Sequence, residues 1–209
     1  MTGLLLEGIV ASGKTSIVRE LQQHAPWLRR GSKLIMSEFF TERANEHLRS
    51  RTAETYRALM QKNLKLLEAA HQIEVGSPLL TPGSGHDLCY VLERFHLTNA
   101  ISYADGNFDE YRDIDQELMR LGCHLAVLFV DEMMVGPRIA EVYRQRGPQW
   151  QAYQDRLEAR VGDLSEHYIS VQRAYLAGAE WSVLEHLLID TTDKDWSRCA
   201  REILRFWRI

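Results

Sequence analysis

Apolar positions follow two rhythms along this chain. Strand-length runs that are apolar almost throughout occur at Leu4-Leu5-Leu6, Leu34-Ile35-Met36, Leu88 to Leu92, Leu125 to Val130 and Val183 to Ile189. Between them, apolar residues recur every three or four positions. Tyr56, Leu59, Met60, Leu64, Leu67 and Ala70 form one such stripe, as a helix with a single buried face requires. Runs apolar on both alternating faces predict strands covered on both sides, and strands separated by helices predict a parallel sheet. The predicted strands are 3–7, 33–37, 88–92, 124–130 and 183–189. The predicted helices are 14–24, 42–75 with a break near Arg51-Thr52, 95–104, 108–122, a segment from Ile139 broken at Gly147-Pro148, 150–176 and 196–207. Pro26 is expected to end the first helix, because it lacks the next backbone N–H. Gly76 to Gly85, with two prolines and three glycines, reads as a loop.

This pattern directs attention to the strand ends, since parallel sheets bind ligands beyond the carboxyl ends of their strands. Four of those ends carry an acid: Glu7, Glu38, Glu93 and Asp131. Acids also start helices as caps, a reading that stays open for Glu38 and Asp131. Glu93 is followed directly by Arg94, which is harder to explain as capping.

One stretch fixes a chemistry. Gly8, Gly13, Lys14 and Thr15 satisfy G-x-x-x-x-G-K-[ST], placed between the first strand and the first helix. The glycines let backbone amides, including those around Ala11, Ser12 and Ser16, curl about phosphate oxygens at a helix N-terminus. Lys14 reaches the outer phosphates and the Thr15 hydroxyl ligates Mg²⁺. The expected cofactors are ATP and Mg²⁺.

Bulk properties narrow the rest. The 209 residues suit one compact domain, 1–209, and 45% apolar residues suffice for one core. A net charge of −4 argues against a nucleic-acid polymer as partner, which needs a basic surface. Cys89, Cys123 and Cys199 form no C-x-x-C, so buried free thiols in a reducing compartment are expected. No apolar run approaches the ~20 residues of a membrane span, and the apolar start is too short for a signal peptide. The expectation is a cytoplasmic protein with no membrane partner; helices flanking the sheet are candidates for a homodimer face.

Four uses of a phosphate loop can be weighed. A GTPase needs N-K-x-D, and Thr192-Asp193-Lys194-Asp195 has the wrong order. A mechanical ATPase shows an apolar strand ending in Asp-Glu, which Leu125 to Glu132 fits. A small-molecule kinase needs Mg²⁺, cations on the moving phosphoryl group and a base for a hydroxyl acceptor. Glu93 can hold Mg²⁺, Arg94 can bridge acceptor and phosphate, and Arg138, Arg144 and Arg146 flank a Gly-Pro break suited to a lid at about 136–150 that excludes water. A non-catalytic nucleotide-binding module keeps Lys14 but needs none of the other acids.

Taken in order, these motifs resemble one family. Leu4-Leu5-Leu6-Glu7-Gly8 through Gly13-Lys14-Thr15 looks like the opening of the deoxynucleoside kinase and thymidylate kinase group. Glu93-Arg94 is similar to the Glu-Arg-Ser and Asp-Arg-Tyr motifs of that group. Arg138 to Arg146 resembles its arginine-bearing lid, and Asp190-Thr191-Thr192 falls where an adenine-contacting loop follows the last strand. The resemblance implies a three-layer α/β P-loop NTPase fold with a five-stranded parallel sheet in the order 2-3-1-4-5. It implies Glu38 as the base for a substrate hydroxyl, with catalytic roles for Lys14, Glu93, Arg94, Arg144 and Arg146. It implies Arg138, Thr191 and Thr192 on the nucleotide, Thr15 and Glu93 on the metal, and Phe39, Tyr56, Arg57 and Phe95 as walls of the acceptor pocket.

The departures concern the acceptor. Thymidylate kinases carry Arg-Glu-Pro-Gly-Gly after the second strand, whereas this chain has Glu38-Phe39-Phe40-Thr41. Without that arginine a phosphate on the acceptor lacks a clamp, which favours a neutral alcohol. Phe95 replaces the usual Ser after Glu-Arg, and Gly147-Pro148-Gln149-Trp150 replaces the paired acids of the lid. A nucleoside comes first among the acceptors, with a nucleoside monophosphate or an unrelated alcohol such as an antibiotic or sugar as alternatives. Ala11 stands where many members have Gly, which strains the loop if a positive φ is required there.

Overall fold

A computed structural model of the protein describes residues 1–45, 52–75 and 88–209. Five strands form one sheet: β1 (Thr2–Gly8), β2 (Lys33–Met36), β3 (Cys89–Glu93), β4 (Cys123–Phe129) and β5 (His186–Asp190). All neighbours pair in parallel, in the order β2-β3-β1-β4-β5. The helices are α1 (Lys14–Leu21), α2 (Ala25–Leu28), α3 (Glu38–Thr41), α4 (Ala53–Val75), α5 (His96–Tyr103), α6 (Arg112–Arg120), α7 (Glu132–Gln145), α8 (Pro148–Val161), α9 (Leu164–Trp181) and α10 (Trp196–Trp207).

The apolar runs explain the layering. Successive side chains of a strand point to opposite faces, and both faces of this sheet are packed. On one face Leu5, Tyr90, Leu92, Leu125 and Val127 join Met60, Leu97, Leu118 and Tyr175 from the helices. On the other, Leu4, Leu6, Val91, Ala126 and Leu128 join Ile17, Leu21, Ile203 and Trp207. The sheet is therefore the middle of three layers. Gly3 is obligatory in β1, because a Cβ there would lie 2.0 Å from the ring of Tyr90.

Register brings the functional ends level. Leu6 of β1 lies beside Glu93 of β3, and Gly8 beside Leu128 of β4. Chain order reverses about β1, whose two neighbours come later in sequence, and its carboxyl end opens into a crevice.

Several expected elements shift. The first helix stops at Leu21, and Pro26 sits in the first turn of α2 instead of ending a helix, where its missing N–H costs nothing. Helix α7 starts at Glu132, well before Ile139, because the Asp131 side chain accepts from the backbone N–H of Met133 and caps it. The expected single helix 150–176 divides at Gly162, with φ of 84°, and Asp163 caps α9 through the N–H groups of Ser165 and Glu166. The expected loop at Gly76 to Gly85 and the break at Arg51 fall outside the described residues. The three cysteines are buried free thiols. Among the described residues no helix is long and apolar enough to cross a membrane.

Candidate functional site

The loop between β1 and α1 wraps the carboxyl end of β1. Gly8 (φ 138°), Ala11 (φ 65°) and Gly13 (φ 94°) all take positive φ. The strain anticipated at Ala11 is therefore present: it adopts the left-handed conformation that glycine enters without penalty. The Lys14 ammonium curls back to donate to the carbonyls of Gly8 (2.6 Å) and Ile9 (2.7 Å) and to Ser12 Oγ (3.3 Å). Burial, reinforced by Arg94, lowers its pKa to about 7 against the opposing pull of Glu7, Glu38 and Glu93.

Glu7, one residue ahead of Gly8, is fully buried. Its Oε1 accepts the backbone N–H groups of Phe95 (2.8 Å) and Thr98 (3.2 Å), and its Oε2 accepts the Thr98 hydroxyl (2.5 Å). The residue preceding α5 is Phe95, which offers no capping oxygen. Glu7 supplies that acceptor from another strand, fastening β1 to the turn that carries Glu93 and Arg94.

That turn presents the chemistry. Glu93, buried at the end of β3, accepts from the Thr15 hydroxyl (3.3 Å), and its backbone carbonyl accepts from the Thr41 hydroxyl. Burial raises the Glu93 pKa, with Glu38 adding to the effect and Lys14 opposing it. Arg94 adopts φ of 56°, a sparsely populated conformation for a non-glycine residue, fixed by its N–H donating to the Leu6 carbonyl (3.0 Å). Its Nε lies 3.2 Å from Glu38 Oε2, at ion-pair distance without aligned hydrogen-bond geometry, and its Nη1 lies 3.3 Å from Glu42 Oε2. Burial raises the Glu42 pKa, with Arg94 opposing the effect and Glu38 adding to it. Glu42 was absent from the sequence expectations, although its i,i+4 spacing from Glu38 offered a signal.

Lys14, Thr15, Glu38 and Arg94 line one cleft of about 300 Å³ with Arg138, Arg146 and Trp196. Arg138 is buried mid-helix, not beside the Gly-Pro break, and its guanidinium donates to the carbonyls of Ala11 (3.1 Å), Thr191 and Thr192 (3.1 Å). Thr191 and Thr192 knit strand ends together: the Thr191 hydroxyl donates to the Phe129 carbonyl, and Thr192 Oγ1 accepts from the Asp131 N–H. Arg146 lies over the ring of Trp150 at 4.4 Å, whereas Arg144 is exposed and off the cleft. Trp196 was missed; its ring abuts Gly13, where a Cβ would come within 2.4 Å of it. Lys194 and Glu141, also missed, pair at 2.5 Å on the cleft wall.

The expected acceptor walls do not line this cleft. Phe95 is wholly buried, and Tyr56 is core, stacked on Tyr103 with ring centroids 3.9 Å apart. Arg57 is held by Asp113 (2.5 Å) and the Glu110 carbonyl. Phe39 is exposed under the Arg43 guanidinium. Asp131 and Glu132 also stand apart, the first as the α7 cap and the second paired with Arg173 at 2.6 Å.

Several solved structures share the fold. The YorR protein of Bacillus subtilis, in complex with phosphorylated GDP, superposes with a TM-score of 0.57 at 14% identity, over 99% of this chain and 96% of that one. The fold is that of the P-loop kinases. Thymidylate kinase from Ehrlichia chaffeensis gives a TM-score of 0.52 at 13% identity, over 98% and 97% of the two chains. Shikimate kinase from Acinetobacter baumannii, in complex with shikimate, gives 0.50 at 14%, over 98% and 92%. No protein-family model and no curated protein sequence matches the chain.

Magnesium fits the residues at hand. Thr15 and Glu93 offer a hydroxyl and a carboxylate side by side, hard oxygen donors of the kind Mg²⁺ takes alongside water and phosphate oxygens. Among the described residues no group of three or more His, Cys, Asp or Glu side chains is placed to hold a metal ion.

Proposed function

We propose that the protein transfers the γ-phosphoryl group of ATP to a hydroxyl of a small neutral acceptor, a nucleoside first among the candidates. The convergence of Glu38 and Arg94 on the cleft that contains Lys14 and Thr15 carries this reading. A phosphate-binding loop alone serves many proteins; a carboxylate and a guanidinium beside it serve transfer to a hydroxyl. Glu38 takes the proton from the acceptor hydroxyl as its oxygen attacks the γ-phosphorus, and the bond to the β-phosphate oxygen breaks to release ADP. Lys14 leaves its carbonyl partners for the phosphate oxygens, and Arg94 faces the acceptor oxygen. Thr15 and Glu93 would hold Mg²⁺, which would supply positive charge to offset that of the phosphates. The stretch 136–150, with Arg146 at the cleft edge, is the proposed lid within a single domain.

Neutrality of the acceptor is supported by charge pairing. Among the described residues, Arg94 is shared by two carboxylates and Arg57 is tied to Asp113. Neither is free to clamp an acceptor phosphate or carboxylate. The test is γ-labelled ATP with Mg²⁺ against nucleosides, nucleoside monophosphates, shikimate and hydroxylated antibiotics and sugars. Labelled product is expected with a neutral acceptor. Faster transfer to dTMP than to thymidine would overturn neutrality, and ATP binding without product from any acceptor would favour a non-catalytic module.

A further inference from the structure

Arg138 has the position of a phosphate-facing cation but not its contacts. It is 5% exposed, and its Nη atoms are committed to three backbone carbonyls. Its Nε is buried without a hydrogen-bond partner among the described residues, and its guanidinium lies 5.7 Å from the ring of Trp196. One of the three carbonyls belongs to Ala11, the non-glycine residue of the loop held at positive φ. Trp196, in turn, presses on Gly13. Arg138 and Trp196 thus grip the loop at its two left-handed positions beyond Gly8.

We infer that Arg138 is a positioning residue of the donor site, which holds Ala11 in the left-handed conformation and so keeps the loop amides aimed at the phosphates. The inference rests on reading the loop as a triphosphate site. An alanine released from this hold relaxes to negative φ, because its Cβ meets the following carbonyl oxygen in the left-handed region. The N–H groups that follow then turn away. Arg138 therefore acts on the donor through the loop backbone, with its own charge spent on carbonyl oxygens. A glycine at position 11 removes the need for the hold, since it enters positive φ freely.

The experiment is a double-mutant cycle with Arg138→Met, Arg138→Lys and Ala11→Gly, read as the KM of MgATP, the KM of the acceptor and calorimetric binding of MgATP. The left-handed penalty of one alanine corresponds to roughly a tenfold loss of donor affinity, so Arg138→Met should raise the donor KM by about that factor and leave the acceptor KM within about twofold. Adding Ala11→Gly should recover most of the loss. Arg138→Lys, a milder change at the same buried position, should lose less and recover in the same way, which keeps the test sound if the methionine variant folds poorly. No recovery with Ala11→Gly, or equal loss for donor and acceptor, overturns the inference. A wild-type protein that binds no MgATP overturns the donor-site reading itself, which separates the two failures.

Discussion

Replacing Glu7 tests how the loop after β1 is joined to the turn that carries Glu93 and Arg94. The carboxylate is fully buried and receives two backbone N–H groups and one hydroxyl. Glu7→Ala leaves the Phe95 and Thr98 N–H groups without an acceptor, whereas the Thr98 hydroxyl keeps Tyr175 as partner at 2.8 Å. Each unsatisfied buried donor costs about 1–3 kcal/mol. Two give roughly 2–6 kcal/mol, reduced somewhat because a buried charge is also removed. An expected loss of about 3 kcal/mol is a large share of the roughly 5–15 kcal/mol that holds a domain together. Glu7→Gln is the informative control. Its amide oxygen can serve both N–H groups while its NH₂ meets the Thr98 hydroxyl, which turns to accept. That exchange of charge-assisted for neutral hydrogen bonds should cost about 1 kcal/mol. Urea unfolding followed by circular dichroism at pH 7 measures both variants. An alanine variant within 1 kcal/mol of wild type would refute the capping argument. A glutamine variant as unstable as the alanine one would show that charge, and not hydrogen-bond count, is what Glu7 provides.

Three further outcomes follow from the site. Glu38→Gln should still bind ATP but lose about 10²–10⁴-fold in transfer, the usual worth of general-base help; normal turnover in a steady-state assay would remove Glu38 from the role. Glu93→Gln should impair transfer more than Asp131→Asn or Glu132→Gln, because only Glu93 reaches Thr15. The reverse ranking in the same assay would revive the mechanical ATPase. Lys14, lowered to about 7, is largely neutral at pH 8 without ligand, and phosphate oxygens at its ammonium raise it again. Donor binding at pH 8 should therefore take up close to one proton, seen as a dependence of binding heat on buffer ionisation; no such dependence sinks the argument. The same depression has a sign for stability: from about pH 7 to 10.5 the unfolded chain carries the Lys14 proton and the folded one does not. The Lys14 contribution to stability accordingly rises with pH across that window, and Lys14→Met should remove the slope in urea midpoints.

Sheet, layers and phosphate loop were legible because each leaves a local mark. Leu4-Leu5-Leu6 and Leu125 to Val130 are apolar in both parities, and only a strand covered on both faces tolerates that. Trp196 to Trp207 was bounded correctly, since its apolar stripe is regular and Asp195 caps it through the Arg198 N–H. The misplaced boundaries lie where capping outweighed periodicity: Asp131 begins α7 before its stripe does, and Gly162-Asp163 interrupts a stripe that otherwise continues. The site was legible along the chain but not across it. Lys14, Thr15, Glu38, Glu93 and Arg94 announce themselves beside strand ends. That Arg138 turns to carbonyls, that Arg57 turns to Asp113 and that Phe95 and Tyr56 pack inward depend on neighbours far away in sequence. Family resemblance carries a residue's position more readily than its direction.

The wedge of Trp196 against Gly13 has an optical consequence. Five tryptophans are present, and Trp196 is the one that lines the phosphate cleft. Trp27 and Trp207 meet 6.0 Å apart in the core, Trp181 lies under Arg112, and Trp150 under Arg146. The indole that abuts the loop is therefore also placed to report on the cleft. If the cleft takes the proposed donor, phosphates arriving beside Gly13 should change the field on that ring, and the emission specific to Trp196, isolated by comparison with Trp196→Phe, should distinguish the empty from the filled cleft without any label.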